Sequence, residues 1–191
     1  MKKIITILLL ALLTFSFASC GEGDGPSVDG FVAAVNNANP EAIEITIKSA
    51  TALGELSGTY TVTYNEDGSF TIDYVYEKFN DIGEGDDLKS EVTGKVTCDK
   101  NGNYSDGGSL KGKVALAEGA KINLAKVKAT ISADGNSLTA TVKAADTKAV
   151  LGVELPSDAE LVIIKSADAI VSYSIKYSNA SGDVTVSCEY K

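Results

Sequence analysis

Apolar residues recur at every second position along most of the chain beyond residue 40. Ile43, Ile45 and Ile47 alternate with Glu44, Thr46 and Lys48, and Tyr60, Val62 and Tyr64 alternate with Thr59, Thr61 and Thr63. Successive side chains of a strand point to opposite faces, so each run predicts a strand buried on one side and wet on the other. The same period marks Phe70, Ile72, Tyr74 and Tyr76, then Val92, Val96 and Cys98, then Val127, Ala129 and Ile131, and then Leu138, Ala140 and Val142. It returns in Val171, Tyr173, Ile175 and Tyr177 and in Val184, Val186, Cys188 and Tyr190. Asn65-Glu66-Asp67-Gly68, Asp99-Lys100-Asn101-Gly102, Ala133-Asp134-Gly135-Asn136 and Asn179-Ala180-Ser181-Gly182 each stand between alternating segments. Gly and Asn supply the positive φ of tight turns, so these are read as successive hairpins of one antiparallel sheet.

Two segments break the period. Residues 27–37 carry the apolar stripe Phe31, Val32 and Val35 behind Ser27, and Asn39-Pro40 follows, which predicts a short capped helix. Residues 144–151 lack alternation, offer Asp146 as a cap and end at Gly152, which predicts a second. The expected fold class is mainly β: a curved antiparallel sheet, half-barrel or sandwich, built from hairpins, with a short N-terminal helix and one near 144–151.

The first two dozen residues have another character. Lys2 and Lys3 precede a nearly wholly apolar run from Ile4 to Leu13, which fades into Ala18-Ser19 before Cys20. A basic start, a short apolar centre and a small-residue exit predict a secretory leader over residues 1–19. Phe17-Ala18-Ser19-Cys20 resembles the lipobox of bacterial lipoprotein precursors, although Phe17 stands where Leu is usual. The resemblance implies cleavage before Cys20 and a diacylglycerol, with palmitate-type chains, on its sulfur. At ~0.8 kcal/mol per buried methylene, two or three such chains would hold the protein on a membrane. Residues 20–26, with three glycines, would form a tether, and residues 27–191 one domain. The order of helix, hairpins, helix and further strands resembles that of the lipoprotein-carrier and mycobacterial lipid-carrier half-barrels. A β-sandwich fits the same pattern.

Charge narrows the partners. All 26 acidic residues lie beyond the leader, whereas two of the 17 lysines leave with it, so the mature chain would carry 15 lysines and a net charge of −11. Such a surface argues against nucleic acid and against direct electrostatic binding to an anionic bilayer. The chain has no Arg, no His and no Trp. It therefore lacks an imidazole for general-base catalysis or zinc and a guanidinium for bidentate anion binding.

No cofactor or metal is expected. Gly107, Gly112 and Lys113 have phosphate-loop spacing, but Val114 stands where Ser or Thr is needed and no helix is expected to follow. Asp99, Asn101, Asn103 and Asp106 have the alternation of a calcium loop, but Tyr104 replaces its glycine and no closing glutamate follows. Residues 81–87 gather four carboxylates among two glycines, which reads as a solvated loop. Cys98 and Cys188, both on expected strands, could form a disulfide across the sheet or stay separate buried thiols.

Tyr60, Tyr64, Tyr74, Tyr76, Tyr173, Tyr177 and Tyr190 fall in step with the apolar face of their strands. Rings on a concave sheet could hold a lipid tail or stack on a sugar, or they could simply build a core with hydroxyls at its wet rim. The expectation is a non-catalytic, extracytoplasmic lipoprotein of the cell envelope, joined to the membrane through Cys20. Its partner would be an apolar small molecule or an envelope component. The alternatives are a surface protein with a filled core and no pocket, and a glycan hydrolase using two carboxylates.

Overall fold

The computed structural model describes residues 26–80, 88–114, 122–125, 127–166 and 169–191. The expected leader, Cys20, the tether through residue 25 and the acidic stretch 81–87 lie outside the described residues.

Helix α1 (Val28–Asn36) begins at the expected cap: Ser27 is extended and its hydroxyl accepts the Gly30 amide at 3.0 Å. That bond satisfies one of the amides a first turn leaves open. Phe31 and Val35 are buried and Val32 half-buried, so the stripe faces the sheet.

Strands β1 (Ala42–Thr51), β2 (Gly54–Tyr64), β3 (Phe70–Phe79) and β4 (Lys89–Cys98) form one meander. Strands β5 (Ala129–Ile131), β6 (Ser137–Val142), β7 (Ala159–Ser166), β8 (Ala169–Asn179) and β9 (Gly182–Tyr190) form the other. Strand β9 pairs with β1, which joins both meanders into one open, curved, nine-stranded antiparallel sheet in the order β4-β3-β2-β1-β9-β8-β7-β6-β5. A two-layer sandwich is thereby replaced by a single sheet whose inner face is covered by helices and connections.

The register carries the alternation across the whole width. Ile131, Leu138, Ile163, Tyr173, Cys188, Ile45, Tyr60, Tyr74 and Gly94 stand side by side, one on each strand. Because a slip of one residue would turn every such side chain to water, this row fixes the pairing. Residues 99–128 run from edge strand β4 to the opposite edge β5, and Leu110, Val114, Ile122 and Leu124 from this connection join the core. Asn36 binds it to α1: its Nδ2 donates to the Ile122 carbonyl and its Oδ1 accepts the Ile122 amide, both at 2.9 Å.

Several expectations are corrected. The turn at 99–102 forms, with the Gly102 amide donating to the Asp99 carbonyl at 2.9 Å, but it leads only to an isolated Cys98–Tyr104 bridge and not to another strand. Strand β7 was not expected, because Leu161-Val162-Ile163-Ile164 is continuously apolar and shows no period. The helix near 144–151 is a 3₁₀ turn (Ala144–Asp146) followed by α3 (Thr147–Leu151), closed by Gly152 at φ 75°. Asp146 makes no capping bond; the Ala144 amide donates instead to Asp158 at 3.0 Å. A single helical turn, α2 (Lys111–Val114), stands where none was expected after the glycines. Of the two alternatives left open for Cys98 and Cys188, the structure has separate buried thiols, with β3, β2 and β1 between their strands.

Candidate functional site

Every expected tyrosine with a described side chain faces inward, but the sheet distributes them into three groups. Tyr60 on β2 and Tyr74 and Tyr76 on β3 form a near-parallel set: centroids are 6.4 Å apart for Tyr60–Tyr74, 6.5 Å for Tyr60–Tyr76 and 5.9 Å for Tyr74–Tyr76. Tyr64, Phe70 and Tyr104 form a second set, tilted at 6.0 Å and edge-on at 5.8 Å. Tyr173 and Tyr190 form the third, with ring centroids 6.1 Å apart. Tyr177, half-buried on β8, packs against the core outside these groups, with no ring pair among the described residues.

Two glycines make the first set possible, and sequence reasoning missed both. A Cβ on Gly94 would lie 2.3 Å from the Tyr74 hydroxyl, so that ring lies across the bare backbone of β4. A Cβ on Gly58 would lie 2.8 Å from Tyr76 Cβ and 3.2 Å from the Tyr60 hydroxyl. Glycine within a strand marks a close approach by another group, and that was the available signal.

The groups differ in electrostatics. Burial pushes the Tyr60 hydroxyl up, and its neighbours Tyr76 and Tyr74 add to the shift. Burial also raises Tyr177. The third group is drier: Tyr173 is raised well above its ordinary value, chiefly by burial, and Tyr190 is pushed to about 12 by burial, with Cys188 and Tyr64 adding to it. Cys188, hydrogen-bonded to Tyr173, is pushed by burial to about 11. A thiol held protonated this way is a packing group and a poor nucleophile at neutral pH.

The remaining sequence candidates are occupied by their own turns. Asp99 accepts the amides of Asn101 at 2.8 Å and Asn103 at 2.9 Å, and the Asn103 side chain at 2.9 Å. Asp106 accepts the Gly108 amide at 2.9 Å, the Leu110 amide at 3.1 Å and the Ser109 hydroxyl. These bonds hold both carboxyls below the ordinary range, with the Asn103 and Ser109 side chains contributing most. Asp67, Asp134, Asp158 and Glu77 are lowered likewise. A glycosidase acid needs the opposite displacement.

On the outer face a shallow, open hollow lies among Thr59, Thr61, Asp73, Val75, Thr93 and Lys95. Its one ion pair, Lys95–Asp73 at 3.3 Å, is more than half exposed, which makes it a surface pair of little energetic weight. No helix among the described residues is long and apolar enough to cross a membrane.

No protein-family description matches the sequence, and no curated protein matches it. Among solved structures, the chain is similar to LprF from Mycobacterium bovis, at 14% identity and a TM-score of 0.43, over 86% of this chain and 93% of that one. A likeness that loose transfers no residue from one chain to the other.

Proposed function

We propose that the protein is a non-catalytic module of the cell envelope, held to a membrane by lipid on Cys20, which takes an apolar ligand on the tyrosine-bearing inner face of β2 and β3. One observation carries this reading: on that part of the face Tyr74 and Tyr76 are only half-buried, while Leu138, Leu161 and Ile163 across the sheet are sealed. Large aromatic surface left accessible on the inside of a curved sheet, with hydroxyls at its border, suits a ligand that is mostly hydrocarbon. The downward displacement of the shifted carboxyls and the absence of histidine support a binding role over a hydrolytic one.

Two measurements on one preparation test the reading. Protein isolated from its own envelope should release a stoichiometric apolar molecule, beyond the anchor, on solvent extraction and mass spectrometry. Cys20→Ser should move the protein out of the membrane fraction. Absence of any such molecule would sink the ligand half, and unchanged fractionation would sink the anchor half.

A further inference from the structure

The open sheet has two edges, and they are built differently. Strand β5 is three residues long, too short to template another strand. Strand β4 runs for ten residues without proline and pairs with β3 at every one of them without a bulge. An edge of that kind presents a row of amides and carbonyls to whatever strand approaches it.

One end of the row is covered from within the chain. The Thr97 carbonyl accepts the Ser105 amide at 2.9 Å, and the Thr97 amide donates to the Ser105 hydroxyl at 3.0 Å. The Thr97 backbone therefore points away from β3. Direction alternates along a strand, so the backbones of Lys95, Thr93 and Glu91 point the same way. Among the described residues, nothing bonds to the amides or carbonyls of these three. Their side chains are exposed on the outer face. Lys95 pairs with Asp73 of β3 at 3.3 Å. Glu91 instead stands opposite Glu77, a like charge that Ser57 and Lys89 already hold, and makes no ion pair among the described residues.

We propose that this stretch of β4 is a self-association edge, paired antiparallel with the same stretch of a second copy about a two-fold axis through Thr93. Charge chooses that register from those centred within residues 91–95. Centred on Thr93, Glu91 lies opposite the partner's Lys95, and Lys95 opposite the partner's Glu91. Centred on Glu91 or on Lys95, like charges meet on the axis. Centred on Val92, Lys89 faces the partner's Lys95. Centred on Gly94, Glu91 falls opposite the partner's Thr97, whose backbone Ser105 already occupies. The favoured register forms three hydrogen-bonded pairs, each exchanging two backbone bonds. On the inner face, half-buried Val92 packs beside the partner's Gly94 and the ring of the partner's Tyr74 that lies across it. Because β5 offers no second edge, the assembly closes as a dimer and does not grow. This pairing is independent of the ligand reading above.

The test uses the full chain purified in mild detergent and sedimented over a concentration series. The parent should pass from monomer to dimer. Glu91→Lys alone and Lys95→Glu alone each set like charges opposite one another twice, and each should weaken association at least about tenfold. An equimolar mixture of the two variants should dimerise like the parent, because the altered positions then face each other and the unaltered pair is intact. Thr93→Pro removes an amide that points away from β3, which an edge strand tolerates, and should abolish the dimer. A parent that stays monomeric would overturn the proposal. So would single variants that associate as the parent does, or a mixture no better than its components. Should Thr93→Pro fail to fold, the mixture decides alone.

Discussion

The two sides of the sheet are written in the same period and built to different ends. On one register row, Leu161, Ile175, Val186 and Ile47 lead into Gly58, Tyr76 and Val92. On the β6–β9 side, Leu138, Leu161 and Ile163 are fully sealed beneath a cover that includes α1, α3 and the 122–125 segment. On the β2–β4 side, Tyr74, Tyr76 and Val92 are half-buried and the rings cover one another and the glycines. Alternation decides which face is inner; it does not decide what covers that face. Where the cover is dry the inner residues are mostly aliphatic, with Tyr173 and Cys188 sealed among them. Where it is incomplete they include Tyr74 and Tyr76, whose bodies accept burial while their hydroxyls accept water.

The comparison breaks most directly by cutting one residue on each side of that row. Leu161→Ala should cost ~2–5 kcal/mol, because its surroundings cannot collapse into the space. Val92→Ala, half-exposed at the other end, should cost under about 1 kcal/mol, as its transfer term is partial and no closed cavity forms. Urea denaturation of both variants settles it, and similar midpoints would mean that the β2–β4 side is as well sealed as the other.

Gly94→Ala sharpens the same contrast at a smaller scale. The added methyl would meet the Tyr74 hydroxyl at 2.3 Å and its ring at 2.5 Å, and that ring is held by Tyr60 and Tyr76, so the stack must shift at a cost of ~1–3 kcal/mol. With no tryptophan to mask them, the tyrosines report the shift in their own fluorescence. Tyr74→Ala combined with Gly94→Ala should recover part of the loss, since the clash is then gone. A neutral Gly94→Ala would show that the ring does not lie where the structure has it.

Much of this was legible beforehand. Period two named the inner residues of most strands, Ser27 announced α1, and the Gly-containing turns fell where expected. What escaped has physical causes. Strand β7 is apolar on both faces and so carries no period, which is the ambiguity of any short continuous run. The cap of the 144–151 segment is Asp158, distant in sequence, and a local reading found only Asp146. The tyrosines could be placed on a face but not sorted into sets, because which rings meet depends on Gly58 and Gly94 and on where the β2–β3 ladder ends. Cys98 and Cys188 share a face, but only the strand order shows three strands between them.

Alkali should act chiefly on the dry side, where Tyr173, Cys188 and Tyr190 are raised, with Tyr60 the raised group on the other. Cys188 is raised to about 11 and Tyr190 to about 12 in the fold, against ordinary values of about 8.5 and 10. Between those limits the unfolded chain releases protons that the folded chain keeps, so stability is complete below about pH 8.5 and falls as pH rises toward 11. The slope should approach about 1.4 kcal/mol per pH unit once the thiol is the group titrating. Melting temperatures from pH 7 to 10.5 measure it, and Cys188→Ala should flatten the first part of the limb. Tyrosinate absorbance should rise with unfolding and not ahead of it for the two rings nearest Cys188.

Acid should act on both sides alike, and more weakly. Asp67 and Asp99 close turns on the β2–β4 side and Asp134 a turn on the other, each held below its ordinary value by bonds within its own turn. Their folded values are lowered, so the stability they contribute is present above about pH 4, the ordinary carboxyl value, and is lost as pH falls through the lowered one. All three are fully exposed, so solvent screens the effect and it should be the smallest of the set. Asp99→Asn and Asp134→Asn should each trim the acid limb slightly and by similar amounts, whereas Cys188→Ala should leave it untouched. Amide exchange resolved by strand gives the decisive readout: at pH 3 protection should drop evenly across the sheet, and at pH 10 it should drop first around β8 and β9. Uneven loss in acid would mean that the two sides differ in their turns as well as in their cover, and the contrast drawn from burial would be incomplete.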